Sequence, residues 1–171
     1  MRVYIPATLR MLQGLVADRE FGPVNGTAFA ITPALREAYS SGDDEELAEV
    51  AMAEAARASL RLLASERDDG ARPDGSTQKR RAVVAADVDA ADPRPDLDDA
   101  VVRLSGPVRF DQVASVHVDL ADAEPAVDEA IGVVDRADLG DPDAEFVVGD
   151  AEDHELAWYA RQELPFLLEL L

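Results

Sequence analysis

Two short stretches carry the residue types from which reactive sites are built. Ser115 and His117 stand two apart in the run Val113-Ala-Ser-Val-His-Val118. On a strand that spacing puts both side chains on one face, where an imidazole can touch a hydroxyl and take its proton. No third residue that would orient the imidazole is identifiable, so the competing reading is a polar sheet face. The second stretch is Asp150-Ala-Glu-Asp-His-Glu155, in which His154 sits among Asp150, Glu152 and Asp153. Carboxylates with an imidazole suit zinc, manganese or iron. His154-Glu155 opens an H-E-x-x-H pattern, but Trp158 stands where the second His belongs. With two histidines in the chain, a metal site here needs His117 or carboxylates from elsewhere.

A third candidate overlaps the second. Asp141, Asp143, Glu145 and Glu152 occupy the first, third, fifth and twelfth places of a calcium-binding loop, with apolar Val148 at the eighth. Phe146 occupies the sixth, where the sharp turn calls for Gly. A solvated acidic turn explains the same residues. Paired carboxylates carry no signal, because 36 acids guarantee neighbours.

Other chemistries are excluded. No G-x-x-x-x-G-K-[ST] or G-x-G-x-x-G occurs, and the sole lysine is Lys79. The glycines at 22 and 26 lead from a helix into a strand, the reverse of a dinucleotide loop. There is no G-x-S-x-G, and the absence of Cys removes thiolate catalysis, disulfides and Cys-based metal sites. No cofactor is implied.

The charge is lopsided. Residues 87–155 hold 21 Asp or Glu against four Arg, which accounts for −17 of the total −20. Such a field repels nucleic acid and anionic membrane and attracts basic partners. No apolar run suits a signal peptide or a membrane span, so a cytoplasmic protein is expected.

The elements that must position these residues follow from periodicity. Val3–Pro6 is β-prone, and Thr8 caps a helix over 9–19 with Leu9, Leu12, Leu15 and Val16 on one face. Thr27–Ile31 is a second strand, and Thr32-Pro33 starts a helix to about Tyr39. The longest helix begins near Ser41, its early acids facing the positive end of the dipole, with a stripe of Leu47, Val50, Ala51, Ala55, Ala58 and Leu62. Residues 67–80 read as a mobile loop and 89–99 as an acidic one, flanking a central strand at Ala82–Val88. Val101–Leu104 and Ala114–Leu120 are strands, the latter with Val116 and Val118 opposite Ser115, His117 and Asp119. Asp122 caps a helix over 123–137. Residues 138–155 read as acidic and turn-rich, followed by a strand at Leu156–Ala160 and an apolar helix over Gln162–Leu170 that plugs the domain. Of Trp158 and Tyr159, which alternate, one packs in the core and the other meets a groove.

This order implies an α+β fold: one domain over 1–171, a mixed sheet with helices on at least one face. The blocks GPVNGTAFAITPALREAY (22–39), ELAEVAMAEAARASLRLLA (46–64), VASVHVDLADAEPAVDEAI (113–131) and GDAEDHELAWYARQELPFLLEL (149–170) resemble an uncharacterised family of high-GC Gram-positive bacteria. That resemblance implies a free-standing soluble protein and no assigned site. The functional expectation is a non-catalytic interaction module that receives a basic protein partner, or a homo-oligomer. The alternative is a small-molecule or metal-dependent enzyme using His117, His154 and Asp150, with Asp141, Asp143, Glu145 and Glu152 as further ligands.

Overall fold

The computed structural model describes residues 1–69 and 79–171. The first strand, β1 (Arg2–Ala7), alternates, with Val3, Ile5 and Ala7 fully buried on one face and Tyr4 on the other. Thr8 then caps α1 (Leu9–Asp18) by accepting from the Met11 N–H, and α1 buries Leu12 and Leu15. After β2 (Glu20–Phe21) and β3 (Thr27–Phe29), Thr32 and Pro33 open α2 (Pro33–Ala38). The long helix α3 (Asp44–Asp68) is capped by Asp43 rather than begun at Ser41. Of the loop expected over 67–80, residues 67 and 68 finish α3, and 70–78 lie outside the described residues.

The second half supplies β4 (Ala82–Asp87), β5 (Asp92–Pro93), β6 (Val101–Arg103), β7 (Val108–Arg109) and β8 (Val113–Val118). Then come α4 (Glu124–Ile131), α5 (Val134–Asp138), α6 (Pro142–Glu152), β9 (Ala157–Ala160) and α7 (Leu164–Leu170). Seven strands form one sheet in the order β5-β6-β3-β1-β4-β8-β9, and β2 pairs with β7. The fold is α+β as expected, with every pairing among the described residues antiparallel where a mixed sheet was expected. Residues 89–99 contain β5, whose Pro93 sits on the sheet's outermost strand, where a missing N–H costs no ladder bond.

Helices pack on both faces of the sheet, fully on one and in part on the other. Val3, Ile5, Ala82, Val84, Val116 and Val118 pack with Leu12 and Leu15 of α1 and with Leu164 of α7. On the other face Phe29, Val83 and Val101 meet Leu35 of α2 and Leu47, Ala51 and Ala55 of α3. The far half of α3 buries Leu60, Leu63 and Ala64 against α4, α5 and α6. The expected α3 stripe therefore departs from the observed one: Val50, Ala58 and Leu62 are only partly buried, whereas Ser59 and Leu60 are fully buried. The reason is that α3 changes partners halfway along, from sheet to helices. Ser59 marks the changeover: its Oγ donates to the Ala7 carbonyl at 2.7 Å and accepts from the Ala82 N–H at 3.1 Å.

Three further expectations are corrected. The helix over 123–137 is broken at Gly132, a poor helix former, and Asp122 makes no side-chain cap. Residues 138–155 are largely α6, because Asp141 accepts from the N–H groups of Asp143 and Ala144 while Pro142 sits in the first turn. The C-terminal helix is buried only along one side, with Leu164 inside, Phe166 69% exposed and Leu170 85% exposed.

Candidate functional site

The site lies where α3 stops covering the sheet. This helix packs on β3, β1 and β4 and leaves the outer face of β8 and β9 open. Register then sets two rows of side chains on that face. Tyr4, Ala85, Ser115 and Ala160 lie abreast across β1, β4, β8 and β9, and Val83, His117 and Trp158 form the row beside them. The first half of α3 makes one wall, with Glu45, Glu49 and Met52. The chain returning from α6 to β9 makes the other, with Glu152, His154 and Glu155. Together they enclose a cleft of about 760 Å³.

The chemistry of the cleft centres on β8. Ser115 Oγ lies 2.9 Å from His117 Nε2. Ser115 is only 6% exposed and His117 is partly buried, yet both line the cleft. Burial first, and the Arg2 charge second, push the His117 pKa below the usual histidine range. The imidazole is therefore neutral at neutral pH. With its proton on Nδ1, Nε2 can accept the Ser115 hydroxyl proton. Arg2 is fixed by a bidentate bond to Asp87, Nε at 2.7 Å and Nη2 at 3.0 Å. Trp158, 61% exposed, stands at the mouth, and Tyr159, partly buried, packs against the core on the other face, so the two aromatics alternate.

A buried ion pair holds the return wall. Arg81 is 2% exposed and Asp119 is fully buried. Arg81 donates to Asp119 through Nε (2.9 Å), Nη2 (2.7 Å) and its backbone N–H (2.8 Å). The same Nη2 donates to the His154 carbonyl at 2.8 Å, tying the cleft wall to the end of β8. Behind the wall, Arg57 of α3 reaches Asp138, Glu145 and Glu152. Hydrogen bonding to Arg57 holds Glu145 below the usual carboxylate range, and Arg61 followed by Arg57 does the same for Asp138.

Family-level comparison covers all of these residues. A family described as of unknown function, DUF6912, matches residues 1–168. The chain belongs to the DUF6912 family. No curated protein and no solved structure matches it. The DUF6912 match spans every residue of the cleft, from Arg2 to Trp158.

In this DUF6912 chain the residues expected to bind metal are dispersed. The calcium-loop spacing lies on α6, where residues two apart point to different sides of the helix and do not converge. Asp141 is spent on the helix cap, Glu145 and Glu152 bond Arg57, Asp143 and Asp150 are exposed, and Phe146 is 75% exposed. Among the described residues no three His, Asp or Glu side chains are placed to hold a metal ion. Of the candidates, His117, His154 and Glu152 share the cleft, and Asp150 does not line it. Sequence reading missed Arg2, Tyr4, Met52 and Arg81, which reach the cleft from β1, α3 and the entry to β4. The available signals were the alternation of Arg2 and Tyr4 with Val3 and Ile5, and a charged residue set directly before an apolar strand.

Proposed function

We propose that this chain binds a small organic molecule in the cleft between α3, β8 and β9, and that the Ser115–His117 pair holds it and exchanges a proton with it. One observation carries the reading: a Ser Oγ and a His Nε2 at 2.9 Å on the wall of a concave space of about 760 Å³, a size usual for small-molecule sites. The neutral imidazole supports it, since a proton acceptor near neutral pH must be unprotonated there. Trp158 and Tyr4 offer apolar surface to the ligand, and Glu45, Glu49 and Glu155 favour a ligand with a positively charged or hydrogen-bond-donating end.

The test is thermal denaturation of the full chain against a library of metabolite-sized compounds, with Trp158→Ala as the cleft variant. A compound at ~100 times its Kd raises stability by about 2.7 kcal/mol. The expected result is a compound whose stabilisation weakens in Trp158→Ala, a change at an exposed residue. A basic protein partner is the second reading, supported by the exposed acids at the cleft mouth. Stabilisation by a polycation at low salt only, with no response to any small molecule, replaces the first reading with the second.

A further inference from the structure

We propose that Ser115 is a nucleophile activated by His117, and that it accepts the acyl group of a carboxylic ester bound in the cleft. This rests on the cleft being a small-molecule site and adds a covalent step to it.

The geometry supplies the parts. Oγ and Nε2 are 2.9 Å apart, a hydrogen-bond distance suited to proton transfer. The two residues are on one strand in the body of the sheet, paired on both sides by β4 and β9, with a β-bulge in the β4 ladder just before Ser115, so their separation does not depend on a loop. The row neighbours of Ser115 are Ala85 and Ala160, whose methyl groups leave space over the hydroxyl. At 6% exposure Ser115 is largely shielded from bulk water while still lining the cleft. Arg2, held by Asp87, lines the same cleft, and its charge helps keep His117 unprotonated.

The step balances without a further reagent. Oγ attacks the ester carbonyl carbon as its proton passes to His117 Nε2. The tetrahedral intermediate expels the alcohol, which takes the proton from His117. Water, deprotonated by the same imidazole, then attacks acyl-Ser115, releases the carboxylic acid and restores the hydroxyl.

The experiment treats the full chain with an alkyl fluorophosphonate and, separately, with p-nitrophenyl acetate. The first is followed by intact and peptide mass spectrometry, the second by release of nitrophenol. The expected result is a single phosphonyl adduct on Ser115, absent in Ser115→Ala and formed roughly 10²-fold more slowly in His117→Gln. Labelling falls as pH drops through the His117 titration. Circular dichroism and melting of both variants verify that they fold, and Ser115→Thr, which keeps a hydroxyl on a strand, retains part of the labelling. No adduct, an adduct at another residue, or full-rate labelling of His117→Gln overturns the proposal. If Ser115→Ala still responds to a cleft ligand while the unaltered chain resists labelling, the binding site stands and the nucleophile falls. If no compound binds at all, the binding reading itself fails.

Discussion

Replacing Asp119 by Ala is expected to be the most damaging single change near the cleft. Asp119 is fully buried and takes three bonds from Arg81, which is itself 2% exposed. The substitution leaves a guanidinium in the interior with only the His154 carbonyl as a described partner. It also removes the acceptor of the Arg81 backbone N–H. Deleting one member of such a pair costs ~3–5 kcal/mol, because the survivor keeps its desolvation cost and loses its counter-charge. For a chain of this length each kcal/mol moves Tm by about 2–4 °C, so a fall of roughly 6–20 °C is expected. Urea denaturation monitored at Trp158, with circular dichroism as a second probe, gives the free energy. The double variant Arg81→Met with Asp119→Leu separates charge from packing: it recovers part of the loss and retains a deficit of ~2 kcal/mol for the two groups left unpaired, the His154 carbonyl and the backbone N–H of residue 81. A loss below ~1 kcal/mol in Asp119→Ala refutes the reasoning, as does a double variant no better than the single one.

Two other outcomes follow from charge. The His117 pKa is lower in the folded chain than the unfolded value of about 6.5. As pH falls from about 7.5 to 5, the unfolded chain takes up a proton before the folded one does, so stability present at neutral pH is lost on acidification. His117→Gln flattens that dependence, read as the difference between the two proteins' urea midpoints across the range; parallel curves contradict the buried neutral imidazole. Arg57→Ala releases Asp138, Glu145 and Glu152 from α3 and lowers Tm by roughly 2–4 °C at neutral pH. Because Asp138 and Glu145 have depressed folded pKa values, that difference persists above their unfolded values and disappears as pH falls through the folded ones. A gap that survives in strong acid contradicts the ion-pair explanation.

Local signals were legible wherever one residue type enforces one backbone state. Thr8 and Thr32-Pro33 start helices at the positions their chemistry dictates. The alternation in Val113–Val118 puts Ser115 and His117 on one face, and the structure brings their side chains into contact. The same kind of signal was misread at Asp141-Pro142: the crowd of acids suggested a solvated turn, whereas Ala144, Val148 and Ala151 were the buried face of α6. Acidic residues favour loops only when no apolar stripe accompanies them.

The sequence by itself determined the strands β1, β3, β4, β6, β8 and β9, most helices, the absence of thiol and P-loop chemistry, and the Ser-x-His spacing, because these depend on neighbours within a few residues; the two-residue strands β2, β5 and β7 carry no such periodicity and were not legible. Tertiary structure alone decided that a cleft exists. It arises because α3 covers β3, β1 and β4 and then turns its far half to α4, α5 and α6, leaving β8 and β9 uncovered. It also decided that Arg2, Met52, Arg81 and His154 meet Ser115 and His117 there. Strand order and helix packing are fixed by burial summed over the whole chain, and no local run of residues encodes which distant surface is left bare.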